Sequence, residues 1–372
     1  MSLASKRHFP AFSFFGITVL IFSVTVMSRL LFNGYIYYFD YHLYQPDGAV
    51  YTFITLTWLG FSDDSAAQQV ISWYNTHAEE GSILTPSFFD PASNPGVWSL
   101  ASYRYLYSLL SMPFVYLIGI PGMLFVPVAS LGILFFCIGY QAWRSKNTLV
   151  GVVILILLSL SPTVTRWFVS NITDGLLASL FAIITIVDLN KPGKKRYLVL
   201  SALILLTSFT RFCAPYWYAV AFIQFLKKDR RMAFFIMVSS SISVLPTLLS
   251  RPDPNSIVVG ASGGFIDKLI YFPVSAAKIL FIEIAQLAAI DRALLVLLTL
   301  SLVVAVRKPR DINSRMFLAF LMAGWFIGAL NGVMGVNFRY QLPVIAMGCL
   351  VIVESIKIST DGTFRHILKV KT

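Results

Sequence analysis

The sequence predicts an all-α fold, a polytopic transmembrane helical bundle of about ten spans, and three observations predict it. Hydrophobic residues make up 57% of the 372 and charged residues only 12%, against about 25% charged in an ordinary soluble domain. So few charges cannot cover a water-facing surface. Apolar runs of about 17 to 25 residues recur from end to end, each long enough to cross about 30 Å of hydrocarbon as a helix. The third observation is the dispersal of the basic residues. The formal net charge is +12, yet Lys and Arg sit in short clusters between apolar runs, where they fix orientation as cytoplasmic loops. No nucleic-acid partner is expected from such a pattern.

Taken in order, the first run, about 11–33, follows Lys6 and Arg7 and lacks a small-x-small cleavage site. It reads as a retained span with a cytoplasmic N-terminus. A large external loop, 34–103, comes next, with short amphipathic helices at 47–60 and 62–75; Asp47, Asp63 and Asp64 hold first-turn or cap positions there. The stretch from Tyr105 to Ile120 contains Pro113 and runs into Pro121 and Gly122. A full crossing there would turn every later basic loop outward, so it reads as an external re-entrant or interfacial helix.

Spans follow at 122–142, 148–168 and 172–190. The arms 197–211 and 213–226 are each too short for a bilayer and read as a hairpin turning against a protein-lined cavity. Another span covers 232–250. The stretch 266–289, interrupted by Asp267, Lys268, Lys278 and Glu283, reads as a second re-entrant segment. The last spans are 290–306, 315–334 and 339–356. This path puts Arg144, Lys146, Lys191 to Arg196, Lys227 to Arg231 and Arg307 to Arg315 inside, with both termini cytoplasmic, and most of the 17 Asp and Glu outside. With no repeat and no low-complexity segment, residues 1–372 form a single integral membrane domain. The expected location is a bacterial inner membrane.

Charged groups in or beside spans are costly and usually functional. On this path they gather on one side: Asp40 and Asp47 after the first span, Arg104, Asn171 and Asp174, Arg211, Arg251 and Asp253, Asp291 and Arg292, then Asn337 and Arg339. Carboxylates can take a proton from an attacking hydroxyl, and arginines clamp phosphate through paired hydrogen bonds. His42 and His77 have no partner motif and read as surface residues. The three cysteines, Cys137, Cys213 and Cys349, lie in apolar runs without zinc or disulfide spacing. Gly260 to Gly264 lacks the Lys-Ser/Thr of a phosphate loop and reads as a turn.

In sequence order, these polar pieces resemble the type C (GT-C) glycosyltransferase superfamily. YQPDGAVY (Tyr44 to Tyr51) resembles the start of that superfamily's first external loop, and YRYLYSLLSMPF (Tyr103 to Phe114) its closing segment, with Ser108 where a Pro is usual. NITDGLLASLF (Asn171 to Phe181), LTSFTRFCAPYW (Leu206 to Trp217) and NFRYQLPVI (Asn337 to Ile345) resemble its later motifs. The resemblance implies a GT-C-like bundle and inverting sugar transfer, of mannose or another hexose, on the non-cytoplasmic side. The donor would be a polyprenyl-phosphate-linked sugar, and the acceptor a glycan, lipid or protein, among membrane lipids. It also implies Asp47 as general base with Asp40 as the other candidate, and substrate binding by Arg104, Asp174, Arg211 and Arg339. Some members use a divalent metal, for which no position is evident in this chain. The chain is short for the superfamily and carries no soluble C-terminal domain.

Blander roles stand beside these. Asp47 can simply start a helix, Asp40 can be a solvated loop residue, Asp174 can cap a span or pair with an arginine, and arginines at span ends can snorkel to headgroups. Two other functions stay open: a transporter or flippase of an anionic or lipid-linked substrate, and a surface-polysaccharide polymerase or ligase.

Overall fold

The computed structural model describes residues 11–32, 46–77, 83–93, 98, 104–186, 194–211, 213–249, 265–308, 311–331 and 338–356. All regular structure among them is helical. We number the α-helices in chain order: α1 Ala11–Phe32, α2 Pro46–Trp58, α3 Asp63–His77, α4 Tyr105–Ile118, α5 Phe125–Arg144, α6 Thr148–Ser159, α7 Pro162–Val169, α8 Asp174–Ile186, α9 Lys194–Ser208, α10 Ala214–Leu226, α11 Arg230–Leu249, α12 Phe265–Ile290, α13 Arg292–Arg307, α14 Ile312–Asn331 and α15 Phe338–Ser355.

Among the described residues, three helical stretches are long and apolar enough to cross a membrane: Ser13–Leu30, Ile120–Arg144 and Phe272–Ile290. Shorter apolar helices complete the bundle, among them Tyr105–Ile118, Asp174–Ile184, Tyr197–Ser208 and Gln341–Ser355. The structure differs from the sequence reading in two of the expected membrane segments. The expected span 148–168 is broken into α6 and α7, which meet at 75°. Ser161 makes the break: it caps α7, its hydroxyl accepting from Val164 N–H, and Pro162 occupies the first helical position, where no N–H is needed. Conversely, the stretch 266–289, expected to be interrupted, is one continuous helix of 26 residues, α12, with Pro273 inside it.

The described core forms four apolar clusters, and α8 contributes to three of them, the fourth being Ala276, Ile279 and Ala329 of α12 and α14. Ala178 and Ala182 join the cluster of α1, α5, α6, α7, α13 and α15. Leu177, Phe181 and Ile184 join that of α9, α10, α11, α14 and α15. Leu176 joins the cluster built by α2, α3 and α4. Every described side chain of α8 but Ile183 and Ile186 is buried, and those two are partly buried. A helix wrapped by protein on all sides need not match the thickness of a bilayer, which is why 13 residues suffice.

Helix α3 is amphipathic, with Ala66, Val70 and Tyr74 forming a buried stripe at four-residue spacing. Helix α2 is not: Gly48 through Leu56 are all buried. Its neighbour α4 buries Tyr107, Ser108, Ser111 and Val115 while exposing Leu109, Leu110, Tyr116 and Leu117. At 14 residues it extends about 21 Å, less than a full crossing. Gly119, at φ 73°, ends it in a conformation that favours glycine, and the chain turns into a short 3-10 helix, Ile120–Leu124, leading to α5.

The ends of the bundle differ in chemistry. At one, Asn147 donates to Val353 O (2.7 Å), Lys308 Nζ to Ser355 O (3.0 Å), Asn313 to Glu354 (2.7 Å) and Arg315 to Gln224 (3.2 Å). These bonds gather the segments that carry Arg144, Lys146, Lys227, Lys228, Arg307 and Lys308. At the opposite end lie the α6–α7 break, the α12–α13 junction, the start of α8 and the α9–α10 turn. Asp291 ties two of them: it accepts from Leu294 N–H (3.0 Å) at the start of α13, and from Ser161 Oγ (2.6 Å) and Thr163 N–H (3.1 Å) at the start of α7.

Candidate functional site

The polar residues at that second end meet around the first turn of α8. Asp174, 1% exposed, opens this helix, and Arg211, 8% exposed, lies in the turn between α9 and α10. The guanidinium Nη1 donates to Asp174 Oδ1 in a buried ion pair. The two are 37 residues apart in sequence, so the pair fixes the α9–α10 turn to the start of α8. Thr207 shapes the turn: its hydroxyl accepts from Trp217 Nε1 (3.1 Å) and lies 3.0 Å from Cys213 Sγ, while Arg211 N–H donates to Thr207 O (3.1 Å). Trp217 stacks in turn on Phe181 of α8, ring centroids 4.9 Å apart.

The loop helices reach the same place through a hydrogen-bond chain. Asn171, fully buried just before α8, donates its side-chain N–H to Tyr74 OH on α3. Tyr74 OH is 2.9 Å from Thr52 Oγ1, and Thr52 donates to Gly48 O (2.9 Å) on α2. Gly48 sits directly on Asn171, and a Cβ there would lie 2.2 Å from the Asn171 amide nitrogen. Only glycine lets α2 come this close. Asp47, the residue before it, is exposed in the first turn of α2, where the helix dipole favours its negative charge.

Arg104 arrives from a third direction. It precedes α4 and donates from Nη1 to Tyr51 OH on α2 (2.9 Å). The first turn of α4 is also bonded to the α9–α10 turn, Leu106 N–H to Phe209 O (3.2 Å). Ser108, standing where the resembled motif has Pro, donates to Tyr51 O (3.1 Å). A Pro at this position would lose that contact.

Four of the six sequence-derived candidates, Asp47, Arg104, Asp174 and Arg211, thus belong to elements that touch one another. Asp40 lies outside the described residues, as do His42, Arg251, Asp253 and the 260–264 turn. Arg339 opens α15, but its side chain is also outside them. Asp291 is a buried double cap and sits apart from this cluster. His77 stacks on Trp73 at 4.1 Å, with its Nδ1 2.9 Å from Trp73 O, a local helical contact. In the segment after α3, Asp90 forms a turn. The Ser93 hydroxyl and then the Ala92 N–H hold its carboxyl below the usual carboxylate range.

The sequence reading missed two arginines. Arg29, 2% exposed near the end of α1, looked like part of an apolar run. Arg166, on α7, lies over the Trp167 ring at 4.6 Å. Only the break after α6 brings it out of the expected span. No group of three or more His, Cys, Asp or Glu that could hold a metal exists among the described residues. Asp63 and Asp64 are exposed in the first turn of α3, where Ser65 N–H meets Ser62 Oγ at 3.4 Å, a helix start.

The chain matches no known protein-family profile, no curated protein and no solved structure.

Proposed function

We propose that this chain is a membrane glycosyltransferase of the GT-C kind. It transfers a sugar, mannose or another hexose, from a polyprenyl-phosphate-linked donor to a glycan, lipid or protein acceptor on the non-cytoplasmic side. The observation that carries the reading is the convergence of an exposed carboxylate, Asp47, with the buried Asp174–Arg211 pair and with Arg104. They meet at the end of the bundle opposite the basic loops. By the positive-inside rule the basic end is cytoplasmic, so the convergence faces the other compartment. The short helices around α8 complete about ten passes on this reading, their ends shielded by protein.

In this reading Asp47 takes the proton of the acceptor hydroxyl. The oxygen attacks the anomeric carbon, the bond from that carbon to the phosphate oxygen breaks, and the lipid phosphate departs with the electron pair. Arg211, oriented by Asp174, and Arg104, oriented by Tyr51, supply positive charge for the phosphate where little water competes.

The test is transfer of labelled hexose from a lipid-linked donor by the purified chain in vesicles, with Asp47→Asn. The expected loss is about 10²- to 10⁴-fold, with folding unchanged because the side chain is exposed. Unchanged transfer would remove Asp47 as the base. Movement of the lipid-linked sugar across the bilayer without a new glycosidic bond would replace the enzyme with a transporter.

A further inference from the structure

We infer that the cleft between α12, α13 and α14 is a binding site for a long-chain lipid with a neutral hydroxyl head. It is a cavity of about 440 Å³, inside the range of small-molecule pockets, about 300–1,000 Å³. Its rim is apolar and open: Leu280, Ile284, Leu302 and Met322 are 41% to 64% exposed. On a helix bundle embedded in a membrane that rim faces hydrocarbon, so an occupant enters from the lipid phase.

The floor is different. Glu283 and Gln341, 6% and 4% exposed, line this mostly apolar cavity, with Thr299 as a further polar residue. Gln341 Oε1 is buried without a hydrogen-bond partner, and the carboxyl-bearing Glu283 lines the same cavity. The nearby indole of Trp325 is already spent, its Nε1 donating to Ala276 O (3.1 Å). An orphaned buried acceptor beside a largely buried carboxyl is costly unless an occupant satisfies it.

Their chemistry selects the head. Gln341 Oε1 needs a donor, and among the described residues no Lys, Arg or His lines the cavity to balance a charge on Glu283. A hydroxyl can donate to Gln341 Oε1 and also bond the Glu283 carboxyl while bringing no charge of its own into the cavity. Its hydrocarbon chain then lies along Leu287, Leu295 and Leu298. This inference stands apart from the sugar-transfer reading and survives its failure.

The experiment uses the full chain in lipid nanodiscs and a twelve-carbon alcohol carrying a photoreactive diazirine on its chain. Labelling should map to peptides of α12, α13 and α14, and excess dodecanol should abolish it. Gln341→Leu and Glu283→Leu should each weaken labelling by about tenfold, one hydrogen bond's worth, whereas Glu283→Gln retains it. Both apolar variants should fold, since an apolar side chain in this mostly apolar lining is neutral or stabilising. Equal labelling of wild type and the two leucine variants would overturn the proposal, leaving an apolar crevice only. So would protection by dodecane as strong as by dodecanol, stronger protection by dodecylammonium, or a Glu283→Gln loss as deep as that of Glu283→Leu.

Discussion

Asp174 and Arg211 are individually unremarkable in sequence, one at the start of an apolar run and the other in a turn. Buried together, they become the most expensive groups in the site. Removing one partner leaves an uncompensated charge, so Arg211→Ala or Asp174→Ala should cost about 3–5 kcal/mol. The double replacement Asp174→Leu with Arg211→Met should recover most of that loss, since a buried pair and well-packed apolar residues are often comparable. Thermal unfolding in detergent checks the stability, and sugar transfer by the same samples checks the function. On the proposed function the double variant is folded and inactive. A folded and active one would reduce the pair to a structural clamp. Asp47 behaves in the opposite way. Exposed in a first turn, it contributes little to folding, and its substitution is read in rate alone.

Among the elements, the junction of α6, α7, α12 and α13 has the clearest physical cause. Asp291 satisfies N–H groups at the starts of two helices, Leu294 on α13 and Thr163 on α7, and accepts the Ser161 hydroxyl as well. Asp291→Ala should therefore destabilise the fold by roughly 2–4 kcal/mol, the sum of a lost cap and of buried donors left unpaired. Asp291→Asn should restore much of it, because Asn caps helices about as well as Asp. Chemical denaturation of the two variants checks the order. Equal loss in both would mean that the charge, rather than the capping geometry, holds the junction. The same junction shows why the apolar stretch 148–168 is bent rather than one straight helix. Hydropathy does not register Ser161 and Pro162 as a stop, because the flanking residues remain apolar on both sides of the bend.

For the whole molecule, the separation of its two ends is the property on which function depends. If the basic end is cytoplasmic, cysteines introduced at Lys146 and Lys228 are labelled by a membrane-impermeant maleimide only in inverted vesicles. Cysteines at Asp64 and Asp90, on the loop helices and their turn, are labelled only in right-side-out cells. All three native cysteines are buried, so background labelling is low. Labelling of both pairs from the same side would separate the polar cluster from the compartment proposed for it.

From composition alone, the chain had to bury its surface in lipid or in itself, and periodic apolar runs made it helical; neither depends on how the helices meet. The order of charged clusters also anticipated which segments share an end, since loops joined by antiparallel helices must alternate. What tertiary structure decided is contact. Nothing local distinguishes α8, which is buried on all sides, from a lipid-facing span of the same hydropathy, because a helix's neighbours are set by the packing of residues far away in the chain. For the same reason Arg29 and the Glu283–Gln341 cleft were invisible beforehand. A polar group in an apolar run reads identically whether it snorkels to water, meets a partner or waits in a cavity, and only the packing of distant helices tells these apart.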